Sequence, residues 1–257
     1  QISFTDWNLL SEAEWVGWKN YARLLEDDTF LNAIVVTVTY VVVNITSQTI
    51  LGLGIAVLMQ NIARSVWVRS ALLVPWLVPN VTIAVITLFI LDPNIGLLNQ
   101  ILGVFGVPAI SFYGNPDIAI YSIALVNSWR NMGYTALLLF AGMQTIPQMI
   151  YESAAVEGAT KWRLFRNITL PLLRPVLVMV IVVSMIGSFQ IFDTVSLATQ
   201  GGPGNSTRVI YYYIYQKAFQ QFDMGYAAAM AVVLMLGLLV LTVFQLRFMR
   251  SSESDLG

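Results

Sequence analysis

Cysteine and histidine are both missing from this 257-residue chain, and charge is scarce: Asp, Glu, Lys and Arg make up 11% of it, where a soluble domain carries about a quarter. Each absence removes a class of chemistry. Without Cys there are no disulfides, thiol nucleophiles or thiolate metal sites, and cysteine usage says nothing about redox compartment. Without His there is no imidazole acid–base chemistry and no His-ligated metal site. The formal net charge of -1 excludes a generally basic nucleic-acid binder. Only three lysines are present, Lys19, Lys161 and Lys217, and none follows a glycine. The G-x-x-x-x-G-K-[ST] phosphate loop is therefore absent. No initiator Met and no signal peptide stand at Gln1.

What is present is apolar. Hydrophobic residues are 57% of the chain and mean hydropathy is +0.72, which points to the bilayer as solvent. A helix needs about 20 apolar residues to cross the hydrocarbon, and the sequence offers five such stretches: about 31–59, 66–91, 118–146, 172–196 and 226–248. The expected fold is all-α, one polytopic transmembrane helical bundle over 1–257, with no soluble domain left over. The second stretch contains "VPWLVPNV", and Pro75 and Pro79 should kink or break it.

Orientation follows from the basic residues of the short loops. Arg64, Arg69, Lys161, Arg163, Arg166, Arg174, Arg247 and Arg250 fall on one side. Lys19, Arg23, Arg208 and Lys217 fall on the other, with most of the acids, among them Glu26, Asp27 and Asp28. The basic side is expected to be cytoplasmic. That places residues 1–29 outside and the C-terminus inside, and it leads us to expect a sixth helix upstream of Gln1. On the outer side, "LDPNIG" and "YGNPD" bracket a short apolar piece, 95–105, suited to an interfacial helix. "TQGGPGNST" (199–207) reads as a rigid turn, and "RVIYYYIYQKAF" after it is rich in aromatics that favour the membrane interface.

The inner segment 147–171 breaks the apolar pattern. Residues 148–157 read as a short helix stopped by Gly158. Thr160 is placed to cap a second one, "KWRLFRNI", with Trp162, Phe165 and Ile168 on one face. Pro171 and Pro175 suit the first turn of the next span. The product is a helix–turn–helix elbow that exposes the small residues Ala154, Ala155 and Gly158 beside aromatic anchors. On periodicity alone it is equally an amphipathic loop resting among lipid headgroups.

The spacing of Glu152, Ala154, Gly158, Ile168, Leu170 and Pro171 resembles the cytoplasmic loop motif of binding-protein-dependent ABC importer permeases; Ser153 departs from it, where that family usually has Ala. "SFTDWNLL" with "WVGWKNYARLLED", and "SFQIFDTVSLATQGGPGNST" at 188–207, are similar to the maltose/oligosaccharide and glycerol-phosphate permeases of that family. The resemblance runs over nearly the whole chain. It implies a permease of the bacterial cytoplasmic (inner) membrane, paired with a second homologous permease, two ATPase subunits and an extracytoplasmic substrate-binding protein. ATP and Mg would sit on the ATPases, with no cofactor and no catalytic residue in this chain. The elbow would be a coupling helix, in which Glu152 offers a charge, Gly158 permits the turn, and Trp162 and Phe165 hold the elbow to its neighbours.

Polar groups inside spans are costly and face a pathway or a partner helix. Asn44 and Gln48 lie at i, i+4 on the first span, Asn127, Trp129, Arg130 and Asn131 cluster on the third, and Gln190 and Asp193 lie at i, i+3 near the outer end of the fourth. Amides exchange hydrogen bonds with hydroxyls and Trp stacks on a sugar face, so the set suits a neutral carbohydrate. Equally, Asn and Gln bridge helices, Arg130 pairs with Asp193 or a backbone carbonyl, and the Trp packs. A glycerol-phosphate substrate should call for more basic residues than Arg130. An ion-coupled carrier would want a titratable group at mid-membrane, for which Asp193 is the acidic candidate. An intramembrane enzyme lacks His, Cys and a clustered carboxylate pair.

Overall fold

In the computed structural model, which describes residues 1–61 and 66–253, the chain is mostly helical. Its start is not. The segment before the first helix forms a two-stranded antiparallel hairpin, β1 (Thr5–Asp6) with β2 (Glu14–Trp15), in the register Thr5 opposite Trp15. The expectation of an all-α chain missed this hairpin because strands of two residues carry no periodicity to detect.

The helices follow in order: α1 (Lys19–Glu26), α2 (Asp28–Asn61), α3 (Val66–Leu77), α4 (Asn80–Ile90), α5 (Leu97–Val104) and α6 (Ala119–Gln144). After these come α7 (Gln148–Val156), α8 (Lys161–Leu164), α9 (Leu170–Leu172), α10 (Arg174–Phe189), α11 (Ile210–Tyr215) and α12 (Met224–Glu253). Among the described residues, two stretches are by themselves long and apolar enough to cross a membrane, Asp28–Gln60 and Met224–Gln245. Two more reach that standard only as pairs bent by more than 40° at a short break, Trp67–Leu77 with Asn80–Ile90 and Lys161–Leu172 with Arg174–Phe189. Helix α6 has the length, about 39 Å at 1.5 Å per residue, but Asn127, Ser128, Arg130 and Asn131 dilute its apolar run.

Proline decides where the second stretch breaks. Pro75 is carried inside α3, whereas α3 ends two residues before Pro79, which opens α4 in its N-cap position. The fourth stretch departs from expectation at its C-terminal end. Helix α10 stops at Phe189, residues 191–192 are irregular, and a separate π-helical turn covers Val195–Thr199. Gln190 and Asp193 therefore do not share a helical face, and the i, i+3 reading of that pair is corrected. Arg69, expected in an inner loop, lies within α3, and Arg64 lies outside the described residues. The 95–105 piece is helical as expected, and the 199–207 turn takes left-handed backbone at Gln200, Gly201, Gly204 and Asn205.

Contacts divide the chain into two compact units. The first comprises Gln1–Val43, Pro79–Val126 and Ile186–Phe244. Its core gathers Leu24, Phe30, Ala33, Ile210, Tyr213 and Tyr226, so α1, the start of α2, α11 and the start of α12 pack together. Polar anchors fix this packing. Asp27 Oδ1 caps α2 by accepting from the backbone N–H groups of Thr29 (2.9 Å) and Phe30 (3.1 Å). Its Oδ2 accepts from the hydroxyls of Tyr213 and Tyr226, each at 2.7 Å. Arg23 bridges to Asp223 at 2.8 Å and lies over the Tyr226 ring. Thr37 Oγ1 accepts from the first N–H of α11, at Ile210, across 2.8 Å.

The second unit comprises Asn44–Val78, Asn127–Met185 and the chain from Gln245. Its core is Ala56, Leu139, Met143, Leu173 and Val180. Close helix contact here depends on glycine: a Cβ at Gly133 of α6 would overlap the carbonyl oxygen of Leu72 in α3. Small residues at such crossings let membrane helices approach backbone to backbone.

Candidate functional site: the elbow and the polar helix faces

Helix α7 starts after Pro147, whose ring fixes φ for the entry. It ends in a Schellman motif. The Gly158 N–H donates to the Ala155 carbonyl and the Ala159 N–H donates to the Ala154 carbonyl, both at 3.0 Å. This pattern requires left-handed backbone at its glycine, and Gly158 has φ +80°. The turn points the chain into α8, where the Thr160 side chain caps by accepting from the Arg163 N–H at 3.4 Å. Helix α8 is short. From Phe165 to Thr169 the backbone widens into a π-helical stretch before α9, so Trp162, Phe165 and Ile168 do not follow the regular helical spacing read from the sequence. Trp162 and Phe165 still meet, with ring centroids 5.7 Å apart. The hydroxyls of Tyr151 and Thr169 lie 3.0 Å apart and tie the first arm of the elbow to the second.

The elbow surface combines small, apolar and charged groups. Ala155 and Gly158 are exposed and Ala154 is half-buried. Val156 is 90% exposed, Met149 72% and Trp162 66%. The Glu152 carboxylate accepts from Gln148 Nε2 one turn earlier at 2.8 Å, which holds it on the exposed face. Small, apolar and charged side chains thus lie side by side on one short exposed segment.

The polar residues of α2 and α6 are largely engaged by neighbouring helices and backbone. Asn44 is buried, and the Ser128 hydroxyl lies 3.1 Å from both its side-chain and its backbone oxygen. Gln48 Nε2 donates to Thr135 Oγ1 (2.8 Å) and to Ser184 Oγ (3.0 Å), joining α2, α6 and α10. Asn131 Nδ2 donates to the Asn127 carbonyl at 2.8 Å. The Arg130 guanidinium donates from Nη2 to the carbonyls of Trp76 and Val78, each at 3.1 Å. It thus satisfies carbonyls that the break before Pro79 leaves without a helical partner. Beside it, Trp76 and Tyr134 stack with centroids 4.7 Å apart and planes within 7°. Trp129 is half-exposed at 45%, Gln190 is exposed at the end of α10, and Asp193 is half-buried in the following turn.

Sequence reasoning did not single out Ser128, Thr135 and Ser184, the hydroxyl partners of the two amides. Ser and Thr are unremarkable in a span, and only helix packing selects which of them an amide reaches. Nor did it pair Arg130 with the broken stretch, although Pro79 signalled that carbonyls would be freed there.

An extended apolar helix set, one stretch broken at proline and a Gly-stopped elbow are features of a polytopic membrane component. Residues 48–252 match the binding-protein-dependent transport system inner membrane component family, and the chain belongs to it: it is a membrane permease of the ABC-importer kind. It is 34% identical over 242 residues to the sulfoquinovosyl glycerol transport system permease protein of Agrobacterium fabrum, covering 94% of this chain and 79% of that one. It is also 34% identical over 239 residues to the trehalose/maltose transport system permease protein of Thermococcus litoralis, covering 92% and 80%. An sn-glycerol-3-phosphate transport system permease protein of Salmonella typhimurium is 32% identical over 241 residues, 93% of this chain and 81% of the relative. Among solved structures, a bacterial ABC transporter that imports the acidic polysaccharide alginate shares the fold, with a TM-score of 0.84 at 23% identity over 92% of this chain and 84% of that one.

Proposed function

We propose that this chain is one permease subunit of an ATP-driven importer for a sugar or oligosaccharide. Five spans, corresponding to α2, the α3–α4 pair, α6, α10 and α12, would line one half of a path that opens alternately to either side. The elbow, residues 147–171, is the coupling element that seats in a cytoplasmic ATPase. Two ATPase subunits carry ATP and Mg, and a second, similar permease completes the path. A substrate-binding protein delivers the solute from outside, as in the alginate transporter solved in complex with its pentasaccharide-bound periplasmic protein. Residues 1–29 lie on that outer side and the C-terminus on the cytoplasmic side.

The observation that carries the reading is the Schellman turn at Gly158. It holds Glu152, Ala155, Val156 and Trp162 as one rigid exposed surface, which a headgroup-resting loop does not require. Substrate class is supported by the engagement of Arg130. Its guanidinium serves the carbonyls of Trp76 and Val78, which favours a neutral sugar over the glycerol-phosphate alternative. Asn127, Asn131 and the half-exposed Trp129 would be the wall nearest the solute. Gln190 and Asp193, beyond the end of α10, would stand at the outer mouth. The test is uptake of labelled solutes into vesicles holding the complete transporter. ATP-dependent uptake of a neutral sugar, competed by its binding-protein ligand and not by glycerol phosphate, is the expected result. ATP hydrolysis by this subunit alone would overturn the reading.

A further inference from the structure

A groove of about 700 Å³ lies between the last turns of α2 and the second arm of the elbow, walled by Leu53, Val57, Leu58, Leu164 and Phe165. Its floor is open. A Cβ added at Gly54, one of its lining residues, meets nothing within 4 Å. Ile50 and Leu58, at the two ends of the α2 wall, are 65% and 55% exposed, so the groove continues onto the apolar outer surface of a membrane-crossing helix. Ile50 to Leu58 spans about 12 Å of helix. At the elbow end the lining turns polar, with Tyr151, Thr169 and Lys161. Lys161 is exposed and begins the basic run that Arg163 and Arg166 continue, and no carboxylate is among the described lining residues. Trp162 borders the same end and is suited to headgroup depth.

We propose that this groove binds one acyl chain of an anionic phospholipid, with the phosphate at Lys161, and that the seated lipid braces the elbow against α2. An apolar slot open to a bilayer fills with hydrocarbon, because water there would have few polar partners. A basic group at the headgroup end of such a slot selects anionic headgroups. The groove touches both arms of the elbow, through Tyr151 and through Lys161–Phe165, so an occupant supports the surface assigned above to the ATPase. The inference rests on that assignment only for the depth of the elbow in the membrane.

The test uses the complete transporter in nanodiscs of phosphatidylcholine containing a photoreactive phosphatidylglycerol, with crosslinked peptides read by mass spectrometry. Labels are expected on residues 50–58 and 161–165 in excess over the exposed face of α12 around Val240. Gly54→Leu, whose Cβ meets nothing within 4 Å and whose side chain would take up room in the groove, should lower groove labelling about tenfold, the worth of roughly two displaced methylenes. Lys161→Gln should keep groove labelling but bring phosphatidylglycerol and a photoreactive phosphatidylcholine to parity. Labelling no greater than at Val240, or unchanged in Gly54→Leu, overturns the proposal. So does crosslinking of the groove to a protein segment instead of lipid, which would make it a helix seat. Transport is not read, so either outcome leaves the permease reading standing.

Discussion

Gly133 of α6 packs so closely on the carbonyl oxygen of Leu72 that no side chain fits between them. The contact brings α6 against α3 just before the break at Pro79, beside the Arg130 and Trp76–Tyr134 contacts. Gly133→Ala should therefore destabilise the purified protein by about 1–3 kcal/mol, the usual cost of overpacking a close contact. Thermal unfolding in detergent measures it. Gly237→Ala is the control, because a Cβ there meets nothing within 4 Å. Equal melting of the two variants would remove the contact from the account.

Arg130 is expected to act on position more than on substrate. Arg130→Gln takes the donor from the exposed Trp76 contact and the part-buried Val78 contact, at about 0.5–1.5 kcal/mol, the net worth of a typical hydrogen bond. Melting temperature and maximal uptake rate should both fall while the half-saturating solute concentration stays constant. A rise in that concentration with unchanged melting would instead make Arg130 a substrate contact.

At the elbow, Gly158→Val places a β-branched residue at φ +80°, where left-handed backbone costs about 1–2 kcal/mol for an ordinary L-residue. The Schellman turn should open and the exposed surface should lose its shape. ATP-driven uptake should drop at least tenfold while membrane insertion is unchanged, and Glu152→Lys should act likewise by reversing the charge held by Gln148. Normal uptake with normal ATPase assembly in both variants would reduce the elbow to an interfacial loop.

Asp27 links α2 to Tyr213 and Tyr226 and should confer a pH dependence on stability. Burial pushes its pKa up, but hydrogen bonds from Tyr226, Tyr213 and the N–H groups of Phe30 and Thr29 outweigh this and hold it below the ordinary carboxylate value. A depressed folded-state pKa means that the stabilisation is complete above the unfolded value of about 4 and is lost as pH falls below it. The melting temperature should therefore decline more steeply below about pH 4 in the parent than in Asp27→Asn, which cannot titrate there. Parallel pH profiles for the two would count against Asp27 as the titrating link.

Some of this protein was decided by sequence alone, because the signals are local. Twenty-residue apolar runs need a bilayer, Pro79 cannot continue the helix before it, and Gly158 supplies the left-handed residue that stops α7. Each of these depends on a few neighbouring residues and survives in any tertiary setting. The missing phosphate loop and the motif from Glu152 to Pro171 are linear in the same way. The polar faces were different. That Gln48 meets Thr135 and Ser184, that Arg130 turns to Trp76 and Val78, and that Asp27 gathers two tyrosines nearly two hundred positions away are outcomes of packing. An unpaired donor or acceptor in an apolar surrounding takes whichever partner the helix crossing brings within 3 Å, and the crossing is set by small residues such as Gly133. The early end of α10, which separates Gln190 from Asp193, is of the same kind. Its apolar residues suit a longer helix, and only the fold places a turn there.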